Sequence, residues 1–229
     1  MSIVSWRRIV VFILTVAMSF RPLSAQGSRV SQSALQEQSA VIQAARVNVP
    51  IRIDGRLSEP VWRAVRPAER FIQREPVAGA SATHATEVRM VLTDDAVVIG
   101  ARLHDDPGAL FDRGTVDGDG ALVGYLADYF EVQIDPHRAH VTALAVSVAP
   151  CGSRRSSIVA TDGTRDESWD VHWEAATHLD ADGWSVEIRI PLSEFHIKPG
   201  DETWGVQFVR FSWQRQETDV FRYVPTRYF

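Results

Sequence analysis

Residues 184–192 read WSVEIRIPL. In an extended chain Trp184, Val186, Ile188, Ile190 and Leu192 fall on one face, and Ser185, Glu187 and Arg189 fall on the other. A helix would scatter the same five apolar residues around its circumference, so this stretch can bury them only as a strand. Burying each is worth ~1.5–3 kcal/mol before conformational entropy is charged. The alternation recurs in TEVRMVL (86–92), VVIGARLH (97–104), DYFEVQID (128–135), VTALAVSVA (141–149), WEAATHL (173–179) and TWGVQFVRFSW (203–213). Turn formers separate these runs: Asp94-Asp95, Asp135-Pro136, Pro150-Cys151-Gly152 and Asp182-Gly183. Only LSEPVWRAV (57–65) and DPGALFD (106–112) read as short helical turns. The pattern predicts an all-β chain folded as an antiparallel β-sandwich.

The chain opens with a different grammar. Arg7 and Arg8 precede an apolar run from Ile9 to Phe20, and Leu23-Ser24-Ala25 offers small residues for cleavage. Residues 1–25 therefore read as a secretory signal, too short for a comfortable membrane span, and the chain is expected to be exported. Residues 26–45, rich in Gln, Ser and Ala, read as a spacer. The sandwich is expected over 46–217, with 218–229 read as the truncated start of a following region. Without the signal and its three arginines, 21 basic residues face 29 acidic ones. That balance argues against nucleic acid, whose phosphates need a basic stripe. Cys151 is the sole cysteine, so no internal disulfide forms and the fold rests on its core. No G-x-S-x-G, P-loop, G-x-G-x-x-G or H-E-x-x-H motif occurs, and no catalytic constellation is marked.

The order of five segments resembles the family 9 carbohydrate-binding-module-like domain. The segments are VPIRIDGRLSEPVW (49–62), TEVRMVLTDDAVVIGARLHDDP (86–107), DYFEVQIDPHR (128–138), SWDVHWEAATHLDADGWSVEIRIPLSEF (168–195) and TWGVQFVRFSWQRQE (203–217). They look most like the version found at the N-terminus of bacterial outer-membrane β-barrel proteins. The resemblance implies a jelly-roll-like sandwich, a carbohydrate ligand and a non-catalytic role. It also implies a barrel partner in longer relatives, and thus a periplasmic, cell-surface or outer-membrane setting. Two alternatives stay open: a structural domain of a barrel protein without a sugar site, and an ancillary module of a glycoside hydrolase serving carbohydrate catabolism. Some family 9 modules hold calcium, and the acid-rich turns Asp94-Asp95 and Asp180-Ala181-Asp182-Gly183 supply suitable oxygens.

A sugar site needs flat aromatic faces and planar polar groups. In DYFEVQID, Phe130, Val132 and Ile134 share one face, and Tyr129, Glu131 and Gln133 share the other. The polar face is the ligand candidate. The resemblance matches the family's ligand-binding aromatic to Tyr125, where Trp is usual, its carboxylate to Glu131 and its arginine to Arg154. In DESWDVHWEA (166–175), an extended chain would place Trp169, Val171 and Trp173 on one face. Val171 and Trp173 are expected in the core, with Trp169 at the rim as a fourth carbohydrate-binding candidate. Trp62 is expected to plug the core.

Overall fold

The computed structural model describes residues 42, 44–106, 108, 127–169, 171–197 and 203–221. The expected signal, the candidate Tyr125 and most of the helical turn expected at 106–112 lie outside them. The described strands are β1 (Ala45–Arg46), β2 (Ile72–Glu75), β3 (Thr86–Leu92), β4 (Ala96–His104), β5 (Tyr129–Asp135), β6 (Thr142–Val148), β7 (Arg154–Ala160), β8 (Arg165–Asp166), β9 (Glu174–Asp180), β10 (Gly183–Pro191), β11 (Gly205–Ser212) and β12 (Glu217–Val220). They form a five-stranded sheet in the order β1-β3-β4-β10-β9 and a seven-stranded sheet in the order β2-β12-β11-β5-β6-β7-β8. Every described pairing is antiparallel except β1 with β3. The protein is an all-β antiparallel sandwich, as the alternation requires.

The two sheets meet through their apolar faces. Val97, Ile99, Ala101 and Leu103 of β4 and Trp184, Val186, Ile188 and Ile190 of β10 pack into one core with Phe130, Val132 and Ile134 of β5 and Phe208 of β11. Trp184 is 1% exposed, so the alternation of WSVEIRIPL is core packing.

The outer face of the five-stranded sheet is also covered. The helix α1 (Pro60–Ala64) lays Trp62 over it in a second cluster with Val65, Val91 and Val98. A Cβ at Gly100 would lie 2.6 Å from Leu57 and 3.0 Å from the Trp62 ring, so glycine there makes room for the tryptophan. Glu187 is fully buried on this face and accepts three hydrogen bonds. They come from Asp54 N (2.8 Å), Gly55 N (2.8 Å) and Trp62 Nε1 (2.8 Å). Ser185 Oγ donates to Gly55 O at 2.5 Å. Gly55 has φ +81°, and a Cβ on it would approach the Thr177 carbonyl carbon to 2.5 Å. The IDG turn, the tryptophan and the glutamate thus form one assembly that straps residues 51–65 to the sheet.

Both sandwich boundaries lie beyond the expected ones. Ala45 pairs with Val91, and Ile42 packs against the core. At the other end β12 and the buried Phe221 extend the sandwich past residue 217. Strand β12 lacks an alternating apolar pattern because two of its inward residues are acids. Glu217 accepts Thr83 N at 2.8 Å and Thr83 Oγ1 at 2.6 Å. Asp219 is 3% exposed, and its buried Oδ1 meets no donor among the described residues. Burial first, then the neighbouring Glu217, pushes the Asp219 carboxyl up to about 7. The folded protein therefore holds this proton more tightly than the unfolded chain. The stabilisation is full below the ordinary value of 3.8 and is lost as pH rises to about 7. Asp219→Asn is expected to gain stability relative to the parent between pH 5 and pH 8. Thermal melts of both proteins check this; parallel pH profiles would refute it.

Candidate functional site

The outward face of the seven-stranded sheet carries the polar residues of β5. Register places Tyr129 beside Phe211 of β11, and Glu131 between Val209 of β11 and Ser147 of β6. Arg155 and Ser157 of β7 continue the face, and Arg165 of β8 pairs with Val159. Glu131 is 2% exposed although it lies on the sheet's outer side. A buried carboxylate at such a position needs donors, and it has them. Its Oε1 accepts Arg165 Nη2 at 2.8 Å and Gln133 Nε2 at 2.6 Å, and its Oε2 accepts Ser147 Oγ at 2.6 Å. Arg165 Nη1 donates to Ser157 Oγ at 3.1 Å. Burial works against the Arg165 charge, but the Glu131 hydrogen bond and charge outweigh it and hold the guanidinium more firmly protonated.

Beside this lattice Tyr129 stacks on Phe211, with ring centroids 5.3 Å apart at 29°, and Phe211 meets Trp213 edge-on at 6.4 Å. The Tyr129 phenol is pushed up to about 12 by burial and by the Glu131 charge, tempered by Arg165, Arg74 and Arg155. It stays protonated at neutral pH. The face thus sets planar hydrogen-bonding groups next to stacked rings, an arrangement that can take hydroxyls on one side and C–H patches on the other.

Of the four residues singled out from the sequence, the three that lie among the described residues do not converge here. Tyr125 lies outside the described residues. Glu131 is at the centre of the lattice. Arg154 pairs with the inward-facing Val148 and so leaves the opposite side of the sheet. Its guanidinium lies 5.5 Å from the Trp173 ring centroid, and Nη1 donates to Trp173 O at 3.2 Å. Arg165 is the arginine that meets Glu131. Its strand has two residues and carries no alternation that could have marked it.

Trp169 also lies away from Glu131. Residues 167–169 and 171–173 are not in a strand; they carry the chain from β8 in one sheet to β9 in the other. The shared-face reading of Trp169, Val171 and Trp173 therefore gives way to a crossover. Val171 is in the core, and both tryptophans are half-buried against it.

The acid-rich turns are engaged by arginines. Asp180 receives both Arg102 Nη1 and Nη2 at 2.7 Å, and Asp95 receives Arg189 Nη2. Both carboxyls are held below the usual carboxylate range, Asp180 chiefly by Arg102 and Asp95 chiefly by Thr93. Among the described residues no group of three or more His, Cys, Asp or Glu side chains is placed to hold a metal ion.

An antiparallel sandwich with a polar, aromatic-flanked face on its larger sheet is the class this chain presents. Solved structures share the fold. A family 9 carbohydrate-binding module from Caldicellulosiruptor kristjanssonii, in complex with cellotriose, matches with a TM-score of 0.55 and 18% identity, covering 78% of this chain and 84% of that one. A family 9 module from the same organism, in complex with glucose, matches with a TM-score of 0.55 and 19% identity over the same shares. A Bacteroides uniformis ATCC 8492 protein described as carbohydrate-binding matches with a TM-score of 0.56 and 10% identity, covering 77% and 86%. The fold is that of the family 9 modules. No protein-family model matches the sequence, and no curated protein matches it.

Proposed function

We propose that this chain is a non-catalytic carbohydrate-binding module whose ligand lies on the outer face of the seven-stranded sheet. The observation that carries this reading is the Glu131–Arg165 pair, set with Gln133, Ser147 and Ser157 next to the Tyr129–Phe211 stack. The sugar complexes of the C. kristjanssonii modules support it. Glu131 acts as a positioning residue: each of its oxygens already accepts from the protein, and it orients Arg165 and Gln133, whose partly exposed side chains would meet the sugar hydroxyls. A hydrogen bond to a charged group contributes ~1.5–3 kcal/mol, about ten- to a hundredfold in affinity. Arg165→Ala is therefore expected to weaken binding of glucose or cello-oligosaccharides by at least about tenfold. Calorimetric titration checks this, and no binding of any sugar at millimolar concentration would sink the reading.

One observation favours a second reading, a structural domain without a sugar site. Arg165, Gln133 and Ser147 already give each Glu131 oxygen a donor, as a purely structural lattice would. Arg165→Ala would then lower the melting temperature and leave no ligand response in either protein. Export is also a proposal, resting on residues 1–25; mass spectrometry of the secreted product tests it, with cleavage after Ala25 as the expected result.

A further inference from the structure

The outer face uses neither tryptophan of DESWDVHWEA. Trp169 is half-buried and lines a groove of about 310 Å³ at the end of the sandwich. There the turn after β5 meets the 3-10 turn Leu192–Phe195. The volume is at the lower end of the ~300–1,000 Å³ of small-molecule sites. Asp135, His137, Glu194 and His196 bring polar groups to its lining, and Ala139 lies exposed on its rim. The Asp135 carboxylate is fixed, accepting His137 N at 3.1 Å and His140 N at 2.8 Å. Ser156 Oγ donates to Trp169 O at 3.4 Å and holds the crossover backbone beside the groove.

We infer that this groove is a second saccharide site, one that takes a single uncharged pyranose ring against the Trp169 indole. The inference rests on the reading of the chain as a sugar-binding module. An indole wall with polar groups around it suits a pyranose, which presents C–H patches on its faces and hydroxyls at its edge. Among the described residues the lining holds two carboxylates and no arginine or lysine, so a uronate is disfavoured by like charge. The outer face differs in this respect, since Arg165 and Arg155 lie on it. Asp135 is four residues beyond Glu131 on the same strand, about 13 Å along it. A single ring cannot span both places, so the two sites fill independently.

The test follows the indole N–H resonance of Trp169 by NMR in the full chain, assigned by its loss in Trp169→Phe. Glucose is expected to shift this resonance in the parent and equally in Glu131→Gln, while glucuronate leaves it in place. Ala139→Arg, on the exposed rim, is expected to abolish the shift, with the other indole signals reporting an intact fold. If calorimetry detects glucose binding but the Trp169 resonance does not move, the groove is overturned and the outer-face site stands. A shift that vanishes in Glu131→Gln, or one that glucuronate reproduces, also overturns the inference. A Trp169 shift with no effect of Arg165→Ala on affinity supports the groove and removes the outer face. No glucose response of any kind overturns both.

Discussion

Glu187→Ala is expected to destabilise the protein by ~3–5 kcal/mol, since hydrogen bonds to charged groups contribute about 1.5–3 kcal/mol each and orphaned donors cost more. The residue is fully buried, and its carboxylate holds Asp54 N, Gly55 N and Trp62 Nε1 together. Removing it leaves three donors facing a void and releases the strap over residues 51–65. Its burial pushes the carboxyl up, against the pull of those same three hydrogen bonds. Burial thus opposes the charge, and the three hydrogen bonds of the strap work in its favour. Glu187→Gln is expected to fare little better, because its amide N–H groups would face donors. Trp62→Phe keeps most of the ring packing and deletes one donor, so it should cost less than Glu187→Ala. Urea denaturation measures all three; a Glu187→Ala loss below ~1 kcal/mol, the size of one ordinary hydrogen bond, would reject the account.

Arg210→Ala is the other large effect. Arg210 is 3% exposed and projects from β11 across to the five-stranded sheet. It donates to Ala85 O (3.3 Å), Thr86 Oγ1 (3.2 Å), His104 O (2.6 Å) and Asp105 Oδ2 (2.9 Å). Truncation strands the Asp105 carboxylate, which is itself 2% exposed and has His84 Nε2 at 3.7 Å. Breaking one side of a buried pair costs ~3–5 kcal/mol, whereas replacing both sides by apolar groups is often neutral. Arg210→Met combined with Asp105→Leu is therefore expected to recover most of what Arg210→Met alone loses. Thermal and chemical denaturation of the double-mutant cycle decides it. A single variant as stable as the parent would show that the clamp carries no net energy.

The first of these predictions bears on what the resemblance consists of. Asp54-Gly55, Trp62, Gly100, Asp182-Gly183 and Glu187 are among the residues of the segments that carry the resemblance. Four of those five places converge on the outer face of the five-stranded sheet, as turn, plug, clearance and acceptor. The fifth is a close-packed turn: Gly183 has φ +128°, and a Cβ on it would lie 2.1 Å from Leu103 O. The recognisable motif is thus a device for holding the fold. The candidate outer-face residues lie on the other sheet: Tyr129, Glu131 and Gln133 in DYFEVQIDPHR, Phe211 in TWGVQFVRFSWQRQE, and Arg165 outside every segment that carries the resemblance.

How much of this was legible follows the same division. TEVRMVL is β3 from end to end, and WSVEIRIPL and VVIGARLH lie almost wholly within β10 and β4. Strands β1, β2, β7, β8 and β12 escaped. RRSSIVA has no apolar alternation, RD is two residues long, and ETDV buries four residues of which three are polar. Polar residues are buried in β12 because partners such as Thr83, 134 residues away from Glu217, satisfy them.

The same limit applied at the site. Strand phase placed Glu131 on the polar face of β5, because alternation is a property of one strand's backbone and needs no partner. Whether Arg154 or Arg165 reaches that carboxylate depends on strand order and register. A step of one residue along β7 turns Arg154 to the opposite side of the sheet from Arg155. Arg165 arrives only because β8 pairs with β7 across a turn. Composition and period by themselves determined an antiparallel sandwich and the residues that fill it. Which polar groups meet, which tryptophan lines a groove and which acid keeps its proton were decided by the tertiary structure, because each depends on neighbours supplied by distant strands.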